Sequence, residues 1–256
     1  AFFEPLTDDG TRWRATSSTA GPWDPASQHG GPPSALLGRA VERCDARDDL
    51  RVARVTVEIL GAVPVGELDL RVRTVRPGRS VEMVEAALSA GGRDVARATA
   101  WKVRRTEGVA VPSRAPVPPP LPDADARGLG EGWDGGYLHA VDWRFVAGRF
   151  DRPGPATVWT RMRLPLVPDE EPSPLQRVLV VADSGNGVSS ELDLTSWFFI
   201  NPELTVHSSR DAVGEWVCLD AATTITDGGS GLATSVLSDQ QGAVAVGAQT
   251  LLVAPR

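Results

Sequence analysis

The sequence predicts an α+β protein in which one unit, a helix followed by an antiparallel β-meander, occurs twice. The first observation is an internal repeat. Thr56-Val57-Glu58 matches Thr205-Val206-His207 at an offset of 149 residues, and Gly66-Glu67 matches Gly214-Glu215 at an offset of 148. A period near half of the chain length indicates tandem domains rather than a solenoid. The second observation is that a stretch with helical spacing precedes several alternating apolar and polar stretches in each half.

Composition restricts the class of protein. The chain has 256 residues, of which 41% are hydrophobic, enough for the core of one large domain or two small ones. The net charge is -7 and Lys102 is the only lysine, which argues against nucleic-acid binding, although scattered arginines could hold a phosphorylated ligand. No apolar run long enough to span a membrane and no leader pattern occurs. These features predict a soluble cytoplasmic protein without a membrane partner.

Motifs for covalent or cofactor chemistry are missing from the sequence. Cys44 and Cys218 lie one in each half within apolar patterns, so we expect buried thiols and neither a disulfide framework nor a metal site. There is no Gly-x-Ser-x-Gly elbow, and no complete Gly-x-Gly-x-x-Gly motif lies between a strand and a helix. We therefore expect no cofactor.

The first predicted unit covers residues 1–105. After strand-like stretches between Thr11 and Thr19, His29-Gly30-Gly31-Pro32-Pro33 marks the start of a helix, because proline is favoured in the first helical turn. Leu36, Ala40, Val41 and Cys44 follow at helical spacing. Turns with Pro-Gly and Gly-Gly pairs separate the predicted strands, which are Arg54 to Leu60, Glu67 to Arg76, Val81 to Ala90 and Arg93 to Arg104.

A linker rich in Pro, Gly and Asp is predicted at 106–136, and a second unit at 137–256. Its helix should begin after the capping residue Ser173, with Pro174 at the first position, and end at Gly185. The run Val178 to Ala182 is apolar all round, so this helix should be buried. The predicted strands are Tyr137 to Phe145, Ala156 to Leu164, Ser196 to Asn201, Leu204 to Ser208, Glu215 to Thr224, Gly231 to Ser238 and Ala243 to Val253.

A buried helix wrapped by a long antiparallel sheet, present twice, describes a tandem or double hotdog fold, with two sheets that each wrap a central helix. On the basis of four short sequence motifs, the chain resembles the acyl-CoA thioesterase II-like family of the hotdog superfamily. They are His29-Gly30-Gly31-Pro32, Val181-Ala182-Asp183-Ser184-Gly185, Asn201-Pro202-Glu203-Leu204-Thr205-Val206-His207 and Ala248-Gln249-Thr250-Leu251. The resemblance extends from about Gly21 to Val253 and implies hydrolysis of an acyl-CoA or other acyl thioester, in fatty acid metabolism, without a cofactor.

Asp183 is the first candidate for chemistry. It lies in the last turn of an otherwise apolar helix, where the helix dipole disfavours a carboxylate. Such a position is typical of a functional carboxylate, and the alternative is a solvated residue that begins a turn. In the resembled enzymes an Asp, a Gln and a hydroxyl residue position water, and the Asp matches Asp183.

Gln249 is the second candidate, matching the Gln of that family. It interrupts a strand that is apolar on both faces, so its amide must find partners, either in the protein or in a ligand. We align Thr99 with it in the first half, so the two copies differ there. The hydroxyl residue has no match: its position falls near Phe199, and the polar neighbours that could substitute are Asn201, Thr195, Ser196 and Thr205.

The turn at His29, Gly30 and Gly31 is a candidate oxyanion site, because backbone N–H groups at a helix start favour negative charge. The alternative is a tight helix entry. His29 could also bind substrate or water, whereas His207 and His139 are interpreted as structural. Trp197 and Trp101 are candidates for an acyl pocket, and Arg79 and Arg210 for phosphate binding, although most such residues pack or face solvent.

Three functions follow from the sequence. The first is an acyl-CoA thioesterase with Asp183 as the base, Gln249 orienting water and Gly30 and Gly31 binding the oxyanion. The second is a non-catalytic acyl-thioester binding protein or accessory protein, which the missing hydroxyl favours. The third, a hydratase or dehydratase, requires an Asp and His pair in a characteristic turn, which the sequence does not reveal. Exposed sheet edges and the resemblance predict a homodimer or homotetramer.

Overall fold

The computed structural model describes residues 1–109, 111, 115–123, 128–129, 135–193 and 195–256. The strands are β1 (Phe3–Pro5), β2 (Arg12–Ala15), β3 (Leu50–Ile59), β4 (Glu67–Arg76), β5 (Val81–Ala90), β6 (Arg93–Arg104), β7 (Val141–Ala147), β8 (Ala156–Met162), β9 (Trp197–Ile200), β10 (Glu203–Ser208), β11 (Val217–Ile225), β12 (Ser230–Asp239) and β13 (Gly242–Pro255). The helices are α1 (Gly31–Arg43), α2 (Gly136–His139), α3 (Pro174–Ala182) and α4 (Gly185–Val188).

The strands form one antiparallel sheet of 13 strands. The order is β1-β2-β4-β5-β6-β3-β10-β13-β12-β11-β8-β7, and β9 pairs with β13 beside this path. The two predicted sheets are therefore joined edge to edge by β3 and β10. At this seam Thr56 pairs directly with Thr205, its own counterpart in the repeat, and their hydroxyls are 3.2 Å apart. A pseudo-twofold axis thus passes between these two threonines.

The two long helices pack against each other inside the sheet. Residues Gly31 to Val41 of α1 and Val178 to Ala182 of α3 are buried, as the apolar pattern of the second helix predicts. Two glycines permit this close approach. A methyl group on Gly31 would overlap the Val180 carbonyl oxygen, and one on Gly38 would overlap the Leu179 side chain. The end of α3 is consequently held next to the start of α1.

In the second half, most predicted boundaries differ by one or two residues, and at two of them the type of element differs. The strand predicted from Tyr137 begins with the short helix α2, because Gly136 adopts a positive φ of 55° that turns the chain before β7. Helix α3 ends at Ala182 rather than at Gly185, which instead begins α4. The Ser173 cap was predicted correctly: its hydroxyl accepts the N–H of Gln176 at 3.2 Å.

The predicted linker is only partly described, since 110, 112–114, 124–127 and 130–134 lie outside the described residues. Its described part lies against the second half, where Trp159 Nε1 donates to the Pro119 carbonyl and Arg144 donates to the Pro122 carbonyl. Within the described ranges, no helix has the length and apolar character needed to cross a membrane. The cytoplasmic location stays a prediction.

Candidate functional site

Asp183 lies at the junction between the end of α3 and the start of α1. It is the residue that follows α3, and its side chain is buried, with 5% of its surface exposed. Gly30 precedes α1, and a methyl group on Gly30 would lie 2.5 Å from Asp183 Oδ2. Only a glycine leaves room for this carboxylate. The site is therefore built by both halves of the chain, the helix entry of one facing the helix end of the other.

The two carboxylate oxygens of Asp183 have different surroundings. Asn201 Nδ2 donates to Oδ1 at 2.7 Å, and Gln249 Nε2 donates to the same oxygen at 3.3 Å. Among the described residues nothing donates a hydrogen bond to Oδ2, whose polar neighbour is His29 Nδ1 at 3.5 Å. One oxygen is thus anchored by two amides, and the other is available to accept a proton.

His29 is a neutral imidazole with its proton on Nε2. The N–H of Gly31 donates to His29 Nδ1 at 3.0 Å, so that nitrogen carries no proton. Burial lowers the pKa of His29, and the nearby Asp183 opposes this only in part. The contact of 3.5 Å with Asp183 is therefore not an ion pair. The ring stacks on Tyr137, with centroids 3.8 Å apart, which fixes its plane.

Gln249 holds Asp183 in place through a buried amide. In addition to its contact with Oδ1, Nε2 donates to the Asp183 backbone carbonyl at 3.0 Å. Its Oε1 accepts the N–H of Asn186 at 3.1 Å and lies so close to Gly185 that a methyl group there would be 2.8 Å away. The amide that the sequence singled out therefore contacts the carboxylate and the turn that follows it.

The counterpart of Gln249 in the first half is Ala100, not Thr99 as the alignment predicted. Thr56 pairs with Thr99, and its counterpart Thr205 pairs with Ala248. Thr99 therefore corresponds to Ala248, and the next residue, Ala100, corresponds to Gln249. Ala100 is buried on the inner face like Gln249, and Thr99 lies on the other face, where Arg54 donates to its hydroxyl. The two copies still differ, because alanine has no amide.

The predicted substitutes for the missing hydroxyl have different positions. Asn201 contacts Asp183, whereas Thr205 lies on the seam and bonds to Thr56 and Glu203. Thr195 and Ser196 bond to Asp193. Phe199 is buried, and its carbonyl accepts from Asn186 Nδ2.

The helix entry offers fewer oxyanion donors than the sequence predicted. The Gly31 N–H is engaged by His29, and the next two residues of α1 are prolines without an N–H. Among the described residues no backbone acceptor contacts the Gly30 N–H. In the described helix entry, the donors without an assigned acceptor are therefore the Gly30 N–H and the Nε2–H of His29. His207 and His139 are exposed and lie elsewhere.

Tyr137 is a site residue that sequence reasoning missed. It is fully buried beneath His29, and burial raises the pKa of its phenol. Its hydroxyl contacts the Val180 carbonyl at 2.9 Å and the Ser184 hydroxyl at 2.8 Å. The ring was predicted as part of a strand, and no local pattern indicates that it reaches the other helix.

Two cavities lie at or beside this site and share part of their walls. The aliphatic cavity, about 480 Å³, includes Asp183, Val57, Ile59, Val63 and Ala96 in its wall. The aromatic cavity, about 260 Å³, includes Leu138, Trp143, Phe150 and Val188. Trp23, His29 and Asn186 line both cavities.

The two tryptophans that the sequence indicates for an acyl pocket, Trp197 and Trp101, line neither cavity. Trp197 is exposed on β9, and Trp101 packs under Arg76. Within the described residues there is no group of three or more His, Cys, Asp and Glu side chains able to hold a metal.

Comparison with known proteins agrees with this architecture. The chain resembles a conserved hotdog-fold protein of unknown function from Alicyclobacillus acidocaldarius, with a TM-score of 0.78 at 17% identity, covering 97% of this chain and 95% of the other. It also resembles the acyl-CoA thioesterase II TesB2 from Mycobacterium marinum, with a TM-score of 0.69 at 18% identity, covering 99% and 95%. A tesB protein from Mycobacterium avium subsp. paratuberculosis gives 0.70 at 16%, covering 99% and 96%. These likenesses show the fold.

The family is shown by sequence models that cover most of the chain. Residues 19–103 match the acyl-CoA thioesterase N-terminal domain, and residues 112–253 match the acyl-CoA thioesterase C-terminal domain. No protein with a curated functional description matches the chain significantly in sequence. The chain belongs to the acyl-CoA thioesterase family of double-hotdog proteins.

Proposed function

We propose that the protein hydrolyses an acyl thioester to a free acid and a thiol, with Asp183 as the general base and acyl-CoA as the substrate that family membership favours. One observation carries this proposal. Asp183 has one oxygen anchored by Asn201 and Gln249, while the other accepts no hydrogen bond from a described residue. A fixed carboxylate with a free oxygen at a cavity wall suits general-base catalysis on water.

The reaction follows from this geometry. Asp183 Oδ2 takes a proton from a water whose oxygen attacks the carbonyl carbon, and the carbonyl electrons move onto its oxygen. We assign the Gly30 N–H and the His29 Nε2–H as the donors that stabilise this oxyanion. When the intermediate collapses, the carbon–sulfur bond breaks and the leaving sulfur takes the proton that Asp183 accepted. Water and thioester are thereby converted to acid and thiol.

Gln249 and Asn201 act as positioning residues in this scheme. Both amides hold Oδ1, and Gln249 also holds the backbone carbonyl of Asp183. The role of Gln249 is thus to fix the base, rather than to hold the water directly. Tyr137 in turn fixes the plane of His29.

The experiment is to measure thiol release from short, medium, long and aryl acyl-CoAs by the native protein and by Asp183→Asn. Asparagine keeps an oxygen that can accept from Asn201 and Gln249 but is not a base. We expect native turnover and its collapse in the variant, with unchanged thermal unfolding. A variant as active as the native protein would refute the assignment of the base.

A non-catalytic acyl-thioester binding protein is the second candidate. It is favoured by the finding that, in the described part of the chain, no hydroxyl contacts the Asp183 carboxylate: Thr205 bonds to Thr56, and Thr195 bonds to Asp193. Binding of acyl-CoA in calorimetry without thiol release from any substrate would support this function over hydrolysis.

A hydratase on the same fold is also favoured by one observation. The sequence revealed no Asp and His pair, yet the structure brings His29 and Asp183 within 3.5 Å although they are far apart in the chain. Water activated by this pair could add to an enoyl thioester. Loss of enoyl absorbance without thiol release would identify that activity.

We also propose that the chain assembles into a homodimer or homotetramer. Ile200 and Leu252 pair across β9 and β13 with 43% and 60% of their surface exposed, and Leu232 on β12 is 48% exposed. This exposed apolar patch, of which Ile200 and Leu252 also line the aliphatic cavity, supports self-association. Light scattering after gel filtration, compared with Leu252→Asp, tests it, and a monomeric native protein would overturn it.

A further inference from the structure

An acyl thioester extends in two directions from its carbonyl carbon, one arm ending in the acyl group and the other in the thiol carrier. The two cavities share Trp23, His29 and Asn186 in their walls, and their other lining residues differ. If the carbonyl lies beside Asp183, as the proposed function requires, each cavity receives one arm. The arms differ in charge, because a phosphopantetheine carrier bears phosphate and an ordinary acyl chain bears none.

The charges on the cavity walls differ in the same way. Among the described residues, the charged side chains that line the aliphatic cavity are Asp183 and Asp24. Asp24 accepts the N–H of Ala26 at 2.9 Å and the hydroxyl of Ser27 at 2.8 Å, which hold its pKa below the ordinary value. This wall is therefore negative and disfavours a phosphate. The aromatic cavity has a single charged side chain in its described lining, Arg256.

Arg256 is positioned but not neutralised. Its guanidinium carbon lies 5.0 Å from the ring centroid of Trp23 and 4.8 Å from that of Phe198, so two aromatic rings orient the group. Its backbone N–H donates to the Ser196 carbonyl, which fixes the segment. No carboxylate of the described residues lies within ion-pair distance of it.

The arginines named from the sequence do not serve this purpose. Arg210 donates through two nitrogens to the buried carboxylate of Asp239, at 2.6 Å for each contact, and is therefore already paired. Arg79 lies in the turn between β4 and β5 and lines neither cavity. Arg256 combines a free charge with a place on a cavity wall.

We infer that Arg256 binds the phosphate of a phosphopantetheine thiol carrier that enters through the aromatic cavity, while the acyl group occupies the aliphatic cavity. Phosphate geometry suits the planar guanidinium, which can donate two parallel hydrogen bonds. Coenzyme A and an acyl carrier protein both carry this phosphate. Arg256 therefore binds the carrier part of the substrate and does not contact the acyl group. This inference rests on the proposed function for the place of the carbonyl.

The test compares two substrates with one acyl group, an acyl-CoA and the acyl thioester of N-acetylcysteamine, which has no phosphate. Arg256→Ala is expected to raise KM for the acyl-CoA roughly tenfold and to leave KM for the N-acetylcysteamine thioester unchanged. Arg256→Lys should retain part of the affinity, because it keeps the charge but loses the fork. An acyl carrier protein substrate in the same assay separates the two sources of the phosphate.

Arg144→Ala is the matched control. Arg144 also stacks on a tryptophan, at 4.3 Å from the Trp216 ring centroid, but lines neither cavity. Arg144→Ala should leave KM unchanged for both substrates. If Arg256→Ala raises KM equally for both substrates, the role of Arg256 is structural. If the substitution changes KM for neither substrate, Arg256 does not bind the phosphate. If only acyl groups with a distal carboxylate respond, Arg256 reads the acyl arm. Each of these results overturns the inference.

A binding measurement separates this inference from the proposed function. The affinities of coenzyme A and of pantetheine, which lacks the phosphate, can be measured by calorimetry without turnover. Preference for coenzyme A that is lost in Arg256→Ala supports the inference even if the native protein hydrolyses nothing. Native turnover with no such preference refutes the inference and leaves the hydrolase proposal intact.

Discussion

The two junctions between α1 and α3 are related by the pseudo-twofold axis but differ in chemistry. At each junction a side chain from the sheet donates to the carbonyl of the residue that ends a helix: Gln249 to Asp183, and Lys102 to Cys44. A comparable bond is therefore present at both junctions, although Lys102 lies two residues beyond Ala100, the counterpart of Gln249. Cys44, expected to be buried, is half-buried at the second junction, and its side chain is not a base.

The carboxylates at the two junctions, Glu42 and Asp183, differ in how many of their oxygens accept hydrogen bonds. Glu42, in the last turn of α1, accepts hydrogen bonds on both oxygens, from the Ser173 hydroxyl at 2.8 Å and from Gln176 Nε2 at 3.0 Å. Within the described ranges, Asp183 accepts hydrogen bonds on one oxygen only. A carboxylate whose oxygens are both bonded stabilises a helix junction, whereas one with a free oxygen can accept a proton.

The largest expected effect comes from removing each carboxylate in turn. Asp183→Asn should lower kcat by about 10²- to 10⁴-fold, the usual contribution of a general base. Glu42→Gln, at the related junction, should change kcat by less than about twofold, since its group lies away from the Asp183 cavity wall. Thiol release measures both. Equal losses in the two variants would mean that the junctions are not functionally distinct.

Removing the two sheet side chains should separate a catalytic role from a structural one. Gln249→Ala leaves the Asn186 N–H and the Asp183 carbonyl unpaired and loosens the base, so kcat should fall about 10²-fold. The same change should cost about 1–3 kcal/mol of unfolding free energy. Lys102→Met should affect stability alone. Urea unfolding together with kcat checks this, and a slow Lys102→Met enzyme would contradict it.

A smaller effect is expected at the capping positions. Gly30 has helical φ and ψ of -67° and -18°, which alanine tolerates, but its methyl group would lie 2.5 Å from Asp183 Oδ2. Gly30→Ala should therefore lower kcat about tenfold or more by displacing the base. Ser173→Ala, at the corresponding cap, should cost about 1 kcal/mol of stability and leave kcat unchanged. Normal activity in Gly30→Ala would show that the carboxylate can move freely.

The smallest effects are opposite slopes of stability with pH. Burial lowers the pKa of His29 below 6.5 in the folded state, so the unfolded chain binds more protons there and stability rises with pH up to about that value. Burial raises the pKa of Glu42 above 4.5, so the folded chain binds more protons and stability falls as pH rises through that window. Urea unfolding from pH 4 to 8 measures both slopes in the native protein. His29→Asn should remove the rise of stability with pH, and Glu42→Gln should remove the fall. Parallel profiles for all three proteins would contradict both assignments.

Local patterns predicted the strands and the caps well. The bounds of β4, β5 and β6 agree with the prediction because Pro77-Gly78 and Gly91-Gly92 mark their turns. The Ser173 cap was equally visible. Asp183 and Gln249 were found because a polar residue stood out in an apolar run, and the structure places them in contact. The domain boundaries at 105 and 137 and the roles of the site residues stay predictions.

Contacts between the halves could not be predicted from local patterns. The stacking of Tyr137 on His29 joins residues far apart in the chain, and so does the cavity wall at Trp23. The choice of Thr99 over Ala100 failed because the alignment shifted the offset of the repeat to 150 residues at the last strand. The strand pairing keeps the offset at 149, both from Thr56 to Thr205 and from Thr99 to Ala248, and in a strand a shift of one residue reverses the face. The Gly31 N–H seemed free because its acceptor, the His29 side chain, depends on a rotamer.

The paired threonines at the seam, Thr56 and Thr205, meet as equivalent residues do in an isologous dimer of identical subunits. In such a dimer each substitution appears twice, once in each junction, so neither junction can change alone. With both copies in one chain, a mutation near Asp183 leaves the Glu42 junction as it was. The fusion therefore allows one junction to specialise in reactivity while its copy specialises in holding the helices together.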